Sequence, residues 1–341
     1  MNILETLKGI FSNNNIVGVV ASSILIILLG IIIGRKKLLD KDASKALTDV
    51  VLFVSIPALS FTAFMKDFNE EIFIEGLNIF IWSFGIHLLF MITSGLFYFK
   101  CKKDEKVTLE ILTTFGGVTA FGIPIVQALY GDIGIIYASI FSIPYRIFLY
   151  SYGFIKMSGM KMSLRNFKTI FLNPVILATF LGLTIWLGQN HLPQVAVDGK
   201  EYAILRIDKT MYWLYKPMVY LSNLCSPLAW LAAGLKLSEV SFKDALKIKE
   251  AWYYSLIKVI IFPLVTLFLI KICNYLGIFY LSPLPAGIVT LMMATPTASV
   301  TIAYAIKYNK GAILASSCSL LSTVSSILCL PIIIVILYIV I

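Results

Sequence analysis

Ten stretches of this sequence are each long and apolar enough to cross a lipid bilayer, at 16–34, 45–65, 76–99, 108–130, 133–155, 173–188, 212–235, 251–276, 284–306 and 311–341. A helix needs roughly 20 apolar residues to traverse the hydrocarbon core. No water meets backbone N–H and C=O groups there, so a span of that length must satisfy them internally, as a helix. The alternating pattern of a membrane β-barrel is missing. Only 13% of the 341 residues are charged, whereas a soluble domain carries roughly 25% to face water. The sequence therefore predicts an all-α integral membrane protein of ten transmembrane helices joined by short loops.

Basic residues orient such a chain, because cytoplasmic loops accumulate Lys and Arg. With the N-terminus outside, the inner loops hold nineteen basic residues and the outer segments seven, leaving Arg146 and Lys258 within spans. Both termini are thus expected outside, in a multi-pass protein of the plasma membrane. The net charge of +10 is scattered over these loops, so it sets topology and does not point to nucleic acid. Met1 to Asn15 reads as a polar tail, and the first span lacks the small-residue cleavage site of a leader. The five cysteines, Cys101, Cys225, Cys273, Cys318 and Cys329, show no paired metal spacing and read as small packing residues.

A weak internal repeat divides the chain at about 156. Val54-Ser-Ile-Pro57 through Lys66 aligns with Leu224-Cys-Ser-Pro227 through Lys236, each placing a lysine nine residues beyond a proline. An odd number of spans per half makes the second half enter from the opposite face, which is the inverted repeat of many secondary transporters. The expected units are 1–156 and 157–341, five helices each, in one membrane domain.

The fourth and ninth spans are poor continuous helices. The fourth reads Thr114-Phe-Gly116-Gly117-Val-Thr119-Ala-Phe-Gly122-Ile-Pro124, and the ninth Ala294-Thr295-Pro296-Thr297-Ala-Ser299. Proline removes a backbone donor and clashes with the preceding turn, and each glycine costs about 1 kcal/mol relative to alanine. Irregular backbone at membrane depth requires burial in protein or a wet cavity. Helices 4 and 9 are therefore expected to be broken and to cross, with Pro124 and Pro296 holding the breaks open. Each break would then offer a half-helix N-terminus to an anion. Gly117, Thr119, Gly122, Pro124, Thr295, Pro296, Thr297 and Ser299 are the candidate binding residues, with Asn223 from the seventh span.

Gly122-Ile-Pro124 through Gly131, Asn173-Pro174, Ala294-Thr-Pro296-Thr-Ala-Ser299, and Leu320-Leu-Ser-Thr with Leu330-Pro331 resemble the auxin efflux carrier family along the whole chain. The resemblance implies a ten-helix fold related to bile acid/sodium symporters, with scaffold and transport parts in elevator-like motion. It implies a small organic anion, auxin- or malate-like, as cargo. Family members often carry asparagine before the first break and after the second, where this chain has Gly117 and Val300. The fifth span, often Asp and paired Asn in the family, here reads Ser142-Ile-Pro144-Tyr145-Arg146.

Arg146 lies too deep to reach the interface, and a buried cation there can serve as counter-charge for a carboxylate or bind a cluster of carbonyls. Lys258 stands about two turns inside the eighth span, where snorkelling and burial are equally open. His87 reads as a satisfied interior histidine. No cofactor is implied, and coupling to Na+ or H+ is left open, as is a homodimer. The alternative to a carrier is a membrane receptor or regulatory subunit that binds without transport. An intramembrane enzyme would need a nucleophile–base pair or a metal cluster, and His87 and His191 are far apart in sequence.

Overall fold

The computed structural model describes residues 14–40, 42–159, 172–239 and 245–341. Lys8, Lys41, Lys161, Arg165, Lys168 and Lys243, which enter the charge argument, lie outside the described residues, as does most of the N-terminal tail. The described chain is helical. Six of its helical stretches are long and apolar enough to cross a membrane: Ala43–Thr62, Glu70–Tyr98, Val118–Ser158, Tyr212–Ser238, Lys249–Tyr275 and Ala312–Val340. Ile24–Arg35, Pro174–Gly188 and Pro283–Met293 are shorter apolar helices.

Val118–Ser158 is the central element. Of its most apolar window 78% is buried, against 28–44% in the other five. Its 41 residues would span about 60 Å as one straight helix, twice the hydrocarbon core. Gly131, at φ 59° and ψ −143°, interrupts it in a conformation that favours glycine, between the segments read as the fourth and fifth spans.

Three prolines share one local device. The five-residue π-turns Val51–Ser55, Val118–Gly122 and Ile257–Ile261 each end two residues before Pro57, Pro124 and Pro263. A widened turn relieves the clash between the proline ring and the carbonyl four residues back. Pro263 follows such a turn in the same way as Pro57 and Pro124. Pro144, in the helical run after Gly131, and Pro331, inside Ala312–Val340, have no widened turn before them.

The first helix packs on Cys225–Glu239 through small residues. A Cβ on Gly30 would meet the Leu231 carbonyl at 2.5 Å, and one on Gly234 the Ile27 carbonyl at 2.1 Å, so the backbones approach as only glycine permits.

One element was not foreseen. Gln194–Val197 and Lys200–Ala203 form an antiparallel hairpin, turned by Asp198 and Gly199, both at positive φ. This is the Asp-Gly turn that suits the twist of a two-residue hairpin. Arg206, counted in the sequence as a topological charge, pins this region. It donates to Asp208, to Asp67 at 2.9 Å and to Gln189 at 2.8 Å. Burial by itself would lower the basicity of the guanidinium, but its hydrogen bonds to Asp208 and Asp67 outweigh that and raise it.

Candidate functional site

Two helix breaks meet in the interior. The helix Lys103–Thr114 stops at Phe115, whose backbone is extended, and the chain turns helical again at Val118. The helix Pro283–Met293 stops before Thr295, and Ser299–Lys307 resumes the helical course after an extended Ala298. The two non-helical segments satisfy each other. Gly117 N–H donates to the Pro296 carbonyl at 2.6 Å, and Gly116 pairs with Thr297 in an antiparallel bridge. Backbone groups that would be orphaned at this depth thus find partners across the crossing.

Glycine makes that approach possible. A Cβ on Gly116 would stand 2.3 Å from Thr295 Oγ1, and one on Gly122 would stand 2.9 Å from Met292 Sδ. Hydroxyl groups then tie down the ends. Tyr145 donates to the Gly116 carbonyl at 2.6 Å and Tyr254 to the Leu112 carbonyl at 3.0 Å. Thr297 Oγ1 is hydrogen-bonded to Tyr254 at 2.8 Å and to Ser322 at 2.9 Å, while Ser322 Oγ also accepts from Thr297 N–H.

Two buried basic side chains flank the crossing. Arg146 is 4% exposed. Its Nη2 donates to Thr119 Oγ1 at 2.7 Å, in the first turn after the first break, and its Nη1 to Asn173 Oδ1 at 3.2 Å. Its Nε has no partner. Asn173 also caps the next helix by accepting from Val175 N–H. Lys258 is fully buried with no hydrogen-bond partner for Nζ, and that atom would stand 2.9 Å from a Cβ on Gly116. Lys258 therefore does not snorkel. Among the described residues neither of the two is paired with a carboxylate. No group of three His, Cys, Asp or Glu side chains there could hold a metal.

The structure gathers Gly117, Thr119, Gly122, Thr295, Pro296, Thr297 and Arg146 at this crossing. Pro124 is displaced from the role expected of it. The first break is made at Phe115–Gly117 by the Gly116-Gly117 pair, and Pro124 lies seven residues further on, relieved by the widened turn. Its carbonyl accepts from Ser226 Oγ at 3.1 Å. Asn223 is exposed at the end of Tyr212–Asn223, so it does not join the buried cluster. Ser299 opens its helix, and its side chain lies outside the described residues. His87 is interior as expected but satisfied on one side only. Its Nδ1 contacts the Ser83 carbonyl at 2.6 Å, while Nε2 is buried without a partner.

Gly116, Lys258, Tyr145, Tyr254 and Ser322 were not among the expected residues. Lys258 carried a readable signal, a lone cation in an apolar run. The tyrosines and Ser322 carried none, since their roles depend on which helices become neighbours.

Two surface clefts, of about 380 and 560 Å³, are lined by residues such as Lys106 and Glu110, and Lys102 and Glu250. They do not reach the crossing, whose side chains are buried.

A sequence model of the family described as membrane transport protein matches residues 15–334. A search of curated proteins found no match.

Proposed function

We propose, from the premise that this chain belongs to the membrane transport protein family, which includes the auxin efflux carriers, that it is a secondary carrier of a small organic anion bound at the crossing of the two helix breaks. Arg146 carries the proposal. A guanidinium buried at membrane depth is costly unless compensated, and here no carboxylate of the described chain compensates it. Its free Nε and the first turn beginning at Val118 lie on the same side of the first break. N–H groups in a first helical turn have no partner in their own helix and carry partial positive charge. A carboxylate of the cargo answers both needs.

Ten spans in two inverted halves, 1–156 and 157–341, fit this reading. The two broken elements then correspond, as do the irregular second spans, where Pro57 follows a π-turn and Pro227 follows the joint at Leu224. The buried crossing requires movement of one part against another to admit cargo, which an elevator-like displacement supplies. With ten spans both termini face outward, so a reporter that is active only in the cytoplasm should stay silent when fused at Ile341. Strong cytoplasmic activity would contradict the orientation that the basic loops give the ten spans.

The cargo class is tested by thermal unfolding of the purified protein against a ligand panel. Small mono- and dicarboxylates should raise the midpoint with a saturable dependence, as any ligand that binds only the native state does. Amines and neutral sugars should leave it unchanged. Stabilisation by amines alone would contradict an anion site.

A further inference from the structure

Among the described residues, two buried titratable nitrogens have no hydrogen-bond partner, Lys258 Nζ and His87 Nε2. Both belong to the wall of the crossing. Lys258 Nζ would stand 2.9 Å from a Cβ on Gly116, the same atom that would meet Thr295 Oγ1 at 2.3 Å. His87 stacks on Phe115 with ring centroids 6.1 Å apart and packs beside Tyr145, close enough to feel a charge on Lys258. An ammonium at this depth needs an anion or a set of acceptors, and Lys258 has neither. The turn Ile257–Ile261 that carries it packs on Lys103–Thr114 and Ala312–Val340. In the first of these Asp104 and Glu105 stand in the opening turn, and Glu110 is paired with Lys106 and Lys156. The second offers only the thiols of Cys318 and Cys329 and the phenol of Tyr338. On its own helix Lys249, Glu250 and Lys271 are each about two turns away or more, and Tyr254 is bonded to the Leu112 carbonyl and Thr297. Arg146 adds a like charge to the same cluster, and a guanidinium does not release its proton.

We propose that Lys258 is the proton site of the carrier, neutral before cargo binds and protonated together with it, so that one proton travels with each anion. The carboxylate supplies the counter-charge that the protein itself does not. The step adds a proton from water to the lone pair of Nζ and forms the ammonium. No other bond changes, and the proton returns to water when the cargo leaves on the far side. The widened turn Ile257–Ile261 contains Lys258 itself, and a π-turn in a helix often marks a functional position. This inference rests on the cargo reading and gives the carrier a driving force, the proton gradient. Coupling between two sites is reciprocal, so a group protonated by anion binding makes the anion bind more tightly as pH falls. Above the range where the free amine is neutral, affinity should drop by up to about tenfold per pH unit.

The test is calorimetric titration of the full-length purified protein with lactate, succinate and phenylacetate at mildly alkaline pH. Each titration is run in Tris and in Bis-Tris, whose different ionisation heats reveal the protons exchanged. The wild type should take up about one proton per bound anion. Lys258→Arg, whose charge is fixed, should bind with no uptake and with an affinity indifferent to pH. Lys258→Met should bind more weakly, again without uptake. His87→Gln removes the other unbonded base and should keep the uptake of the wild type. Binding without proton uptake in the wild type overturns the proposal and leaves the cargo reading standing. Uptake that persists in either Lys258 variant also overturns it. Should neither variant both fold and bind, His87→Gln decides: uptake kept without the histidine supports the lysine, and uptake lost with it overturns the proposal. Failure of all three anions to bind at any pH contradicts the cargo reading, and the proton site falls with it.

Discussion

Arg146→Met should weaken carboxylate binding by about 30-fold or more, since truncating one partner of a buried charge pair costs on the order of 2–5 kcal/mol. The guanidinium is fixed from two directions, by Thr119 in the turn after the first break and by Asn173 at the start of the next helix. Methionine fills much of the same volume without charge, so the packing loss is small. Arg146→Lys restores the charge but lacks the planar fork that reaches both partners, and should recover affinity only in part. The rival reading, in which Arg146 merely fastens Asn173, makes a different forecast. Under it Arg146→Met lowers the unfolding midpoint while the surviving protein binds carboxylate with unchanged affinity. That result would remove Arg146 from the site.

The second large effect is expected at the crossing itself. Gly116→Ala would drive a methyl group to 2.3 Å from Thr295 Oγ1, which is held in turn by a bond to the Met292 carbonyl. No real Cβ tolerates that distance, so the two breaks must separate, at a cost of about 1–3 kcal/mol for overpacking. Pro296→Ala acts in the opposite way. It lets the second break regain helical bonding and draws the Pro296 carbonyl away from Gly117 N–H. Both variants should abolish most transport while still reaching the membrane. Thr297→Val should do less, about 0.5–1.5 kcal/mol for each hydrogen bond lost. Pro331→Ala alters Ala312–Val340 about two and a half turns beyond Ser322, the residue of that helix bonded to Thr297, and should stay active. Pro124→Ala should fall nearer to Pro331→Ala than to Pro296→Ala, because Pro124 sits beyond its break. Equal activity across Gly116→Ala, Pro296→Ala and Pro331→Ala would mean that the crossing is not the site.

Pro124 shows where sequence reading stops. A proline among glycines signals that a helix is interrupted, but propensity alone does not say where. Proline can be absorbed by one widened turn, as happens before Pro57, Pro124 and Pro263. The Gly116-Gly117 pair breaks the helix because a second backbone must approach within contact there, and that demand comes from the ninth segment, remote in sequence. Pro296 lies within its break, between Met293 and Ser299, where the proline's own missing donor interrupts the helix. Arg146 was legible for an energetic reason, since depth in an apolar run rules out solvent. Lys258 was ambiguous because its long stem reaches an interface from two turns in, and only the packing of Gly116 and Thr295 around it shows that it turns inward. The hairpin at Gln194–Ala203 could have been read from Asp198-Gly199, a turn pair that suits a two-residue hairpin.

Counterflow in proteoliposomes tests the central claim most directly. Vesicles preloaded with an unlabelled small carboxylate that stabilises the purified protein should take up the labelled compound transiently above its equilibrium level, and Arg146→Met vesicles should not. Saturable binding of that carboxylate to the purified protein without counterflow, under neither a sodium nor a proton gradient, would contradict a carrier and leave a membrane receptor in its place.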